Sequence, residues 1–137
     1  MWWIYALLAA LFAALTTIFA KVGLKNINSD LATAIRTVVI LIMVWGIAFF
    51  RGETKNINSV SKNDLLFLVL SGFAAGASWL FYFKALQVGR VSQVAPVDKL
   101  SLALVIILSI IFLGEPLTWK VAVGALLIIG GTIVLIL

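Results

Sequence analysis

From Met1 to Ala20 the chain carries no charged side chain, and four later stretches of comparable length are almost as apolar. Backbone amides placed in hydrocarbon must find their hydrogen-bond partners inside the protein, which a helix supplies within its own run. A core about 30 Å thick takes roughly 20 residues at 1.5 Å each, which is the length of these runs. The expected fold is therefore all-α, an integral membrane bundle of five transmembrane helices, with residues 1–137 forming a single transmembrane domain. Composition agrees: 64% of residues are hydrophobic and 11% charged, far from the soluble average of about half and a quarter. No basic residue precedes the first run and it is too long for a signal-peptide core, so it is expected to be a retained helix.

Polar residues mark the helix ends. The first helix is expected to leave the membrane at Lys21, Lys25, Asn26 and Asn28, with Trp2, Trp3 and Tyr5 at the opposite interface. The second is expected to start near Leu31, capped by Ser29 or Asp30, and to stop at Arg51-Gly52, with Arg36 about two turns inside. Residues 51–63 form the one sizeable hydrophilic connection. A third helix from Leu65 runs towards Gln87 and ends at Gly89-Arg90. A fourth, Val91 to Leu113, contains Pro96, Asp98 and Lys99 and stops at Gly114-Glu115-Pro116; a fifth covers Val121 to Leu137.

The absence of cysteine and histidine excludes disulfides, thiolate metal sites and imidazole chemistry. Catalysis would need paired acids or an activated nucleophile, and Asp98 has no second acid within the apolar runs, so no enzyme, cofactor or metal is expected. Ten basic residues against five acidic ones are scattered between apolar segments, which does not suit nucleic acid.

With alternating helices, one side of the membrane receives Arg51, Lys55, Lys62 and Lys120, and the other Lys21, Lys25, Arg36, Lys84 and Arg90. Four against five is too small a bias to fix orientation by the positive-inside rule. Two oppositely inserted copies of a five-span unit would make ten helices about an axis in the membrane plane, the inverted repeat of many secondary transporters. A single orientation follows instead where some of these residues lie too deep to count.

Asp98 and Lys99 stand about 11 Å into the fourth run, a depth at which ionisable residues are costly and mark functional sites by default. Neighbouring helical residues diverge by about 100°, so the two are not expected to neutralise one another, and Lys21, Arg36 and Lys84 are candidate partners for Asp98. A role confined to helix packing, or snorkelling of Lys21 and Lys84 to the headgroups, is the plainer alternative. On the third helix Ser71, Ala75, Ser78 and Tyr82 form a small and polar stripe beside Trp79, and Gly72 and Gly76 form a GxxxG suited to packing or dimerisation. Trp79 and Tyr82 are pocket candidates. Ala10, Ala14, Thr17 and Lys21 share a face of the first helix, and Ser92, Pro96 and Lys99 one of the fourth; these are candidates to line one cavity. Pro96 is a candidate kink, and Gly124, Gly130 and Gly131 are assigned to packing or dimerisation.

At Phe81-Tyr82-Phe83-Lys84-Ala85-Leu86-Gln87-Val88-Gly89, then Val94-Ala95-Pro96-Val97-Asp98-Lys99-Leu100-Ser101 and Leu113-Gly114-Glu115-Pro116, the sequence resembles the EamA family of the drug/metabolite transporter superfamily. The resemblance spans nearly the whole chain. It implies a five-helix unit of the kind that usually occurs twice, in opposite orientation, in ten-helix exporters of amino acids, sugars and nucleotide-linked metabolites; this chain is similar to the short single-unit branch. The related four-helix multidrug transporters rely on a glutamate in the first helix, and nothing acidic occurs in this one.

The resulting expectation is a homodimeric secondary transporter in the cell membrane, half of a ten-helix inverted repeat per chain. Its substrate-binding candidates are Lys99, Asp98, Lys84, Arg36, Trp79, Tyr82 and Ser78, and their net positive charge favours an anionic or zwitterionic small molecule. The competing class is a membrane subunit that packs a partner protein or binds lipid headgroups through Lys21, Lys25 and Lys84.

Overall fold

A computed structural model describes residues 1–137. It contains α1 (Trp2–Gly23), α2 (Ser29–Phe50), a 3₁₀ segment (Glu53–Ser59), α3 (Lys62–Val88), α4 (Val91–Asp98), α5 (Leu100–Leu113) and α6 (Trp119–Ile136), with no strand. Taking α4 and α5 together as one span, five helical segments are long and apolar enough to cross a membrane. Their large apolar side chains point outward almost everywhere, and the hydrophobic residues that are buried are Leu24, Phe83, Leu86 and Ala103. An apolar exterior is the arrangement that hydrocarbon solvates and water does not.

Helix ends differ from the sequence expectation by a turn or less, each for a local reason. α1 continues through Lys21 to Gly23, since lysine is a good helix former and its ammonium finds an acceptor, the carbonyl of Leu86. α2 begins at Ser29, and its cap is Asn28, not Ser29 or Asp30: the Asn28 side-chain oxygen accepts the Asp30 N–H at 2.8 Å. α3 starts at Lys62 rather than Leu65, because Ser61 Oγ accepts the Asp64 N–H at 3.1 Å and donates to its carboxylate at 2.6 Å. α6 starts at Trp119, capped by Thr118. Gly52 (φ 72°) and Gly114 (φ 67°) turn the chain in the left-handed region at the ends of α2 and α5. Asn28→Ala should lower stability by about 1 kcal/mol, since alanine leaves an α2 amide without its acceptor; unfolding in mixed detergent micelles measures it.

The chain divides into two compact units, Phe19–Gln87 and Met1–Ile18 with Val88–Leu137, and α1 runs from one into the other. In the first unit, Ser29, Thr33 and Arg36 share one face of α2 by their i, i+4, i+7 spacing, as Trp79, Phe83 and Leu86 do on α3. Ser29, Thr33, Phe83 and Leu86 are all buried. The Thr33 and Thr37 hydroxyls donate to the carbonyls of Ser29 and Thr33, both at 2.8 Å, so neither is an orphan in apolar surroundings. In the second unit α6 packs against α4 and α5.

Candidate functional site

The fourth span is not one helix. Pro96 cannot supply the N–H that the Ser92 carbonyl would accept, and the turn after it tightens: the Lys99 N–H donates to the carbonyls of Pro96 at 3.0 Å and Ala95 at 3.3 Å. Lys99 lies in a turn between α4 and α5, with φ −71° and ψ −8°. The single proton of the Thr132 hydroxyl is shared between Ile128 O at 2.8 Å and, as the longer arm, the Pro96 carbonyl at 3.3 Å. Thr132 is buried on α6, so the Pro96 carbonyl has a donor on a neighbouring helix. The sequence signal for it is a single hydroxyl after Gly130-Gly131 in the apolar body of the last helix.

At this break the structure corrects one expectation. Asp98 and Lys99 do pair with each other, Nζ to Oδ2 at 3.2 Å. The 100° divergence belongs to an uninterrupted helix. Here α4 ends at Asp98, and the four-carbon stem of Lys99 folds its ammonium back onto the preceding carboxylate.

The second cluster joins α2 to α3. The Arg36 guanidinium lies 4.6 Å from the centroid of the Trp79 ring and 5.1 Å from that of Phe83, both inside the cation–π range. Trp79 and Phe83 are one helical turn apart, so one cation bridges two rings on the same face. Tyr82 is half-buried beside them, its ring 6.4 Å from that of Phe83. At the same end of this unit Lys21 donates to Leu86 O, and Gln87 Nε2 donates to Ile27 O at 2.8 Å, tying the α1–α2 connection to the last turn of α3. The sequence singles out Arg36, Trp79 and Tyr82 separately, without joining them. Phe83 was not singled out, although its i+4 relation to Trp79 was the available signal.

The remaining candidates are not gathered into either cluster. Ser78 and Lys84 are exposed and make no hydrogen bond within the chain. Gly72 and Gly76 border a shallow apolar hollow of about 530 Å³ on α3, with Val69, Phe73, Ala77 and Leu80. A Cβ added at either glycine, or at Gly124, Gly130 or Gly131, would meet no atom within 4 Å.

Comparison with known proteins agrees with this architecture. A Sinorhizobium protein described as an uncharacterized transporter in the cobO 3' region is 48% identical over 134 residues, covering 98% of this chain and 95% of its own. An uncharacterized protein of Methanocaldococcus jannaschii is 31% identical over 132 residues, covering 96% and 93%. No solved structure matches. Residues 1–137 match the EamA-like transporter family over their full length. The chain belongs to that family and is a multi-pass protein of the cell membrane.

Proposed function

We propose that the protein is a secondary transporter that exports small polar metabolites by alternating access, working as an antiparallel homodimer. The observation that carries this reading is the broken fourth span. Discontinuous helices whose freed backbone groups and charges lie within the membrane are the usual material of transporter binding sites, and irregular backbone at that depth is tolerated where it lines a cavity or is buried in protein. Asp98 and Lys99 sit at the break, about 10 Å along from Val91, and the Pro96 carbonyl beside them accepts a hydrogen bond from outside its own helix. A scaffold would be served as well by a continuous apolar helix. The near-even distribution of basic residues supports insertion in both orientations, and family membership supports transport.

Single cysteines at Asn58 and Leu137 test the arrangement against a clean background, since the chain has no cysteine of its own. A membrane-impermeant thiol reagent applied to intact cells should label each site in part of the population. Full labelling at one site and none at the other would refute the antiparallel dimer and favour a subunit that serves a partner protein or lipid.

A further inference from the structure

The Asp98–Lys99 pair is internally neutral, which leaves the anion-recognising role to another cation. Arg36 stands about 10 Å along α2 from Ser29, inside a span, and makes no hydrogen bond or ion pair within the chain. Its two rings hold the guanidinium but accept none of its five N–H donors in an ordinary hydrogen bond. The hydroxyls of Thr33 and Thr37, its neighbours on α2, turn their protons to backbone carbonyls and accept no hydrogen bond from the guanidinium. A permanently charged, directional, unspent donor set within a membrane helix calls for a mobile anion.

We propose that Arg36, Trp79 and Phe83 form the seat of a small organic carboxylate, bound edge-on to the guanidinium by two parallel hydrogen bonds. This rests on the transporter reading and names the substrate class for it. The ligand needs two oxygens on one centre to match the guanidinium fork, and a single negative charge to balance a single positive one. A free phosphate monoester carries about −1.5 to −2 at neutral pH and would leave uncompensated charge in hydrocarbon. A lipid phosphodiester shares the carboxylate's charge and acceptor pair. The seat is assigned to the free solute because the guanidinium lies about 10 Å along a spanning helix, deeper than the interface where a lipid headgroup sits, and the lipid arm of the test decides between the two.

The test uses the full chain in maltoside micelles, with benzoate, its neutral near-isostere benzamide, and dihexanoyl phosphatidylglycerol as probes and tryptophan fluorescence as the readout. Benzoate should give a saturable change that benzamide and the lipid do not, and Trp79→Phe should abolish that change. Arg36→Lys, which keeps the charge but not the fork, should raise the benzoate Kd by at least about tenfold. No saturable benzoate response from the native chain, an equal response to benzamide, a response to the lipid alone, or an unchanged Kd in a correctly eluting Arg36→Lys variant would each overturn the seat. Topology is measured separately at Asn58 and Leu137. Lost carboxylate binding with two-sided labelling therefore retires the seat alone, and Arg36-dependent binding with one-sided labelling retires the antiparallel dimer alone.

Discussion

Replacing Asp98 with leucine should destabilise the folded protein by about 1–3 kcal/mol, replacing Lys99 should do the same, and replacing both should restore most of the loss. The size of the effect follows from where the pair sits. An ion pair on a water-exposed surface contributes about 0–1 kcal/mol, because water solvates either partner once the other is gone. Within the chain Lys99 and Asp98 side chains are 54% and 31% exposed, so geometry within one copy does not bury them. Their place at the break of a spanning segment puts them where a lone charge costs about 2.5–3.5 kcal/mol at the bilayer centre, and less towards the interface. Equilibrium unfolding in bicelles, run as a double-mutant cycle, measures both terms. Single variants that change stability by less than about 0.5 kcal/mol would place the pair in water and outside the membrane. Under the transporter reading the double variant folds and inserts but no longer transports, which separates the pair's function from its contribution to stability.

The spans were legible because the bilayer imposes one requirement, length in apolar residues, that a one-dimensional scan can read. Helix ends were less so. The cap of α2 was placed one or two residues late because Asn28, Ser29 and Asp30 are all good caps, and only the geometry of the Asn28 side chain decides among them. The candidate site divided along similar lines. Arg36, Asp98 and Lys99 stand out in any apolar run, but which charge meets which partner depends on the helix break after Pro96, and regular helical spacing pointed the wrong way there. Phe83 and Thr132 are inconspicuous in the sequence for a different reason. A phenylalanine among many and a threonine after two glycines become informative only once a guanidinium and a proline carbonyl are placed opposite them.

Gly76→Ile, and Gly72→Ile with it, should abolish self-association while leaving the fold of the single chain intact. In most proteins a glycine-to-isoleucine change inside a packed helix confounds the two effects. Here the two effects separate, because a Cβ at Gly72 or Gly76 meets no atom of the chain within 4 Å and the hollow beside them leaves space for the branches beyond it. Both glycines open onto the apolar hollow of α3, lined by bulky Val69, Phe73 and Leu80, which gives the helix a notch between large side chains. Lipid is as apolar as leucine, so helices associate in a bilayer through close backbone approach and interlocking side chains, and a GxxxG notch is what permits that approach. Filling it with a branched side chain should push a second copy away by more than the range of dispersion contact. In proteoliposomes carrying donor- and acceptor-labelled protein, energy transfer should fall to the level expected from random proximity, with the circular dichroism of the variant matching the native chain. Undiminished energy transfer from Gly72→Ile/Gly76→Ile would move the dimer contact off α3, and the open glycines of α6, Gly124, Gly130 and Gly131, would be the next face to fill.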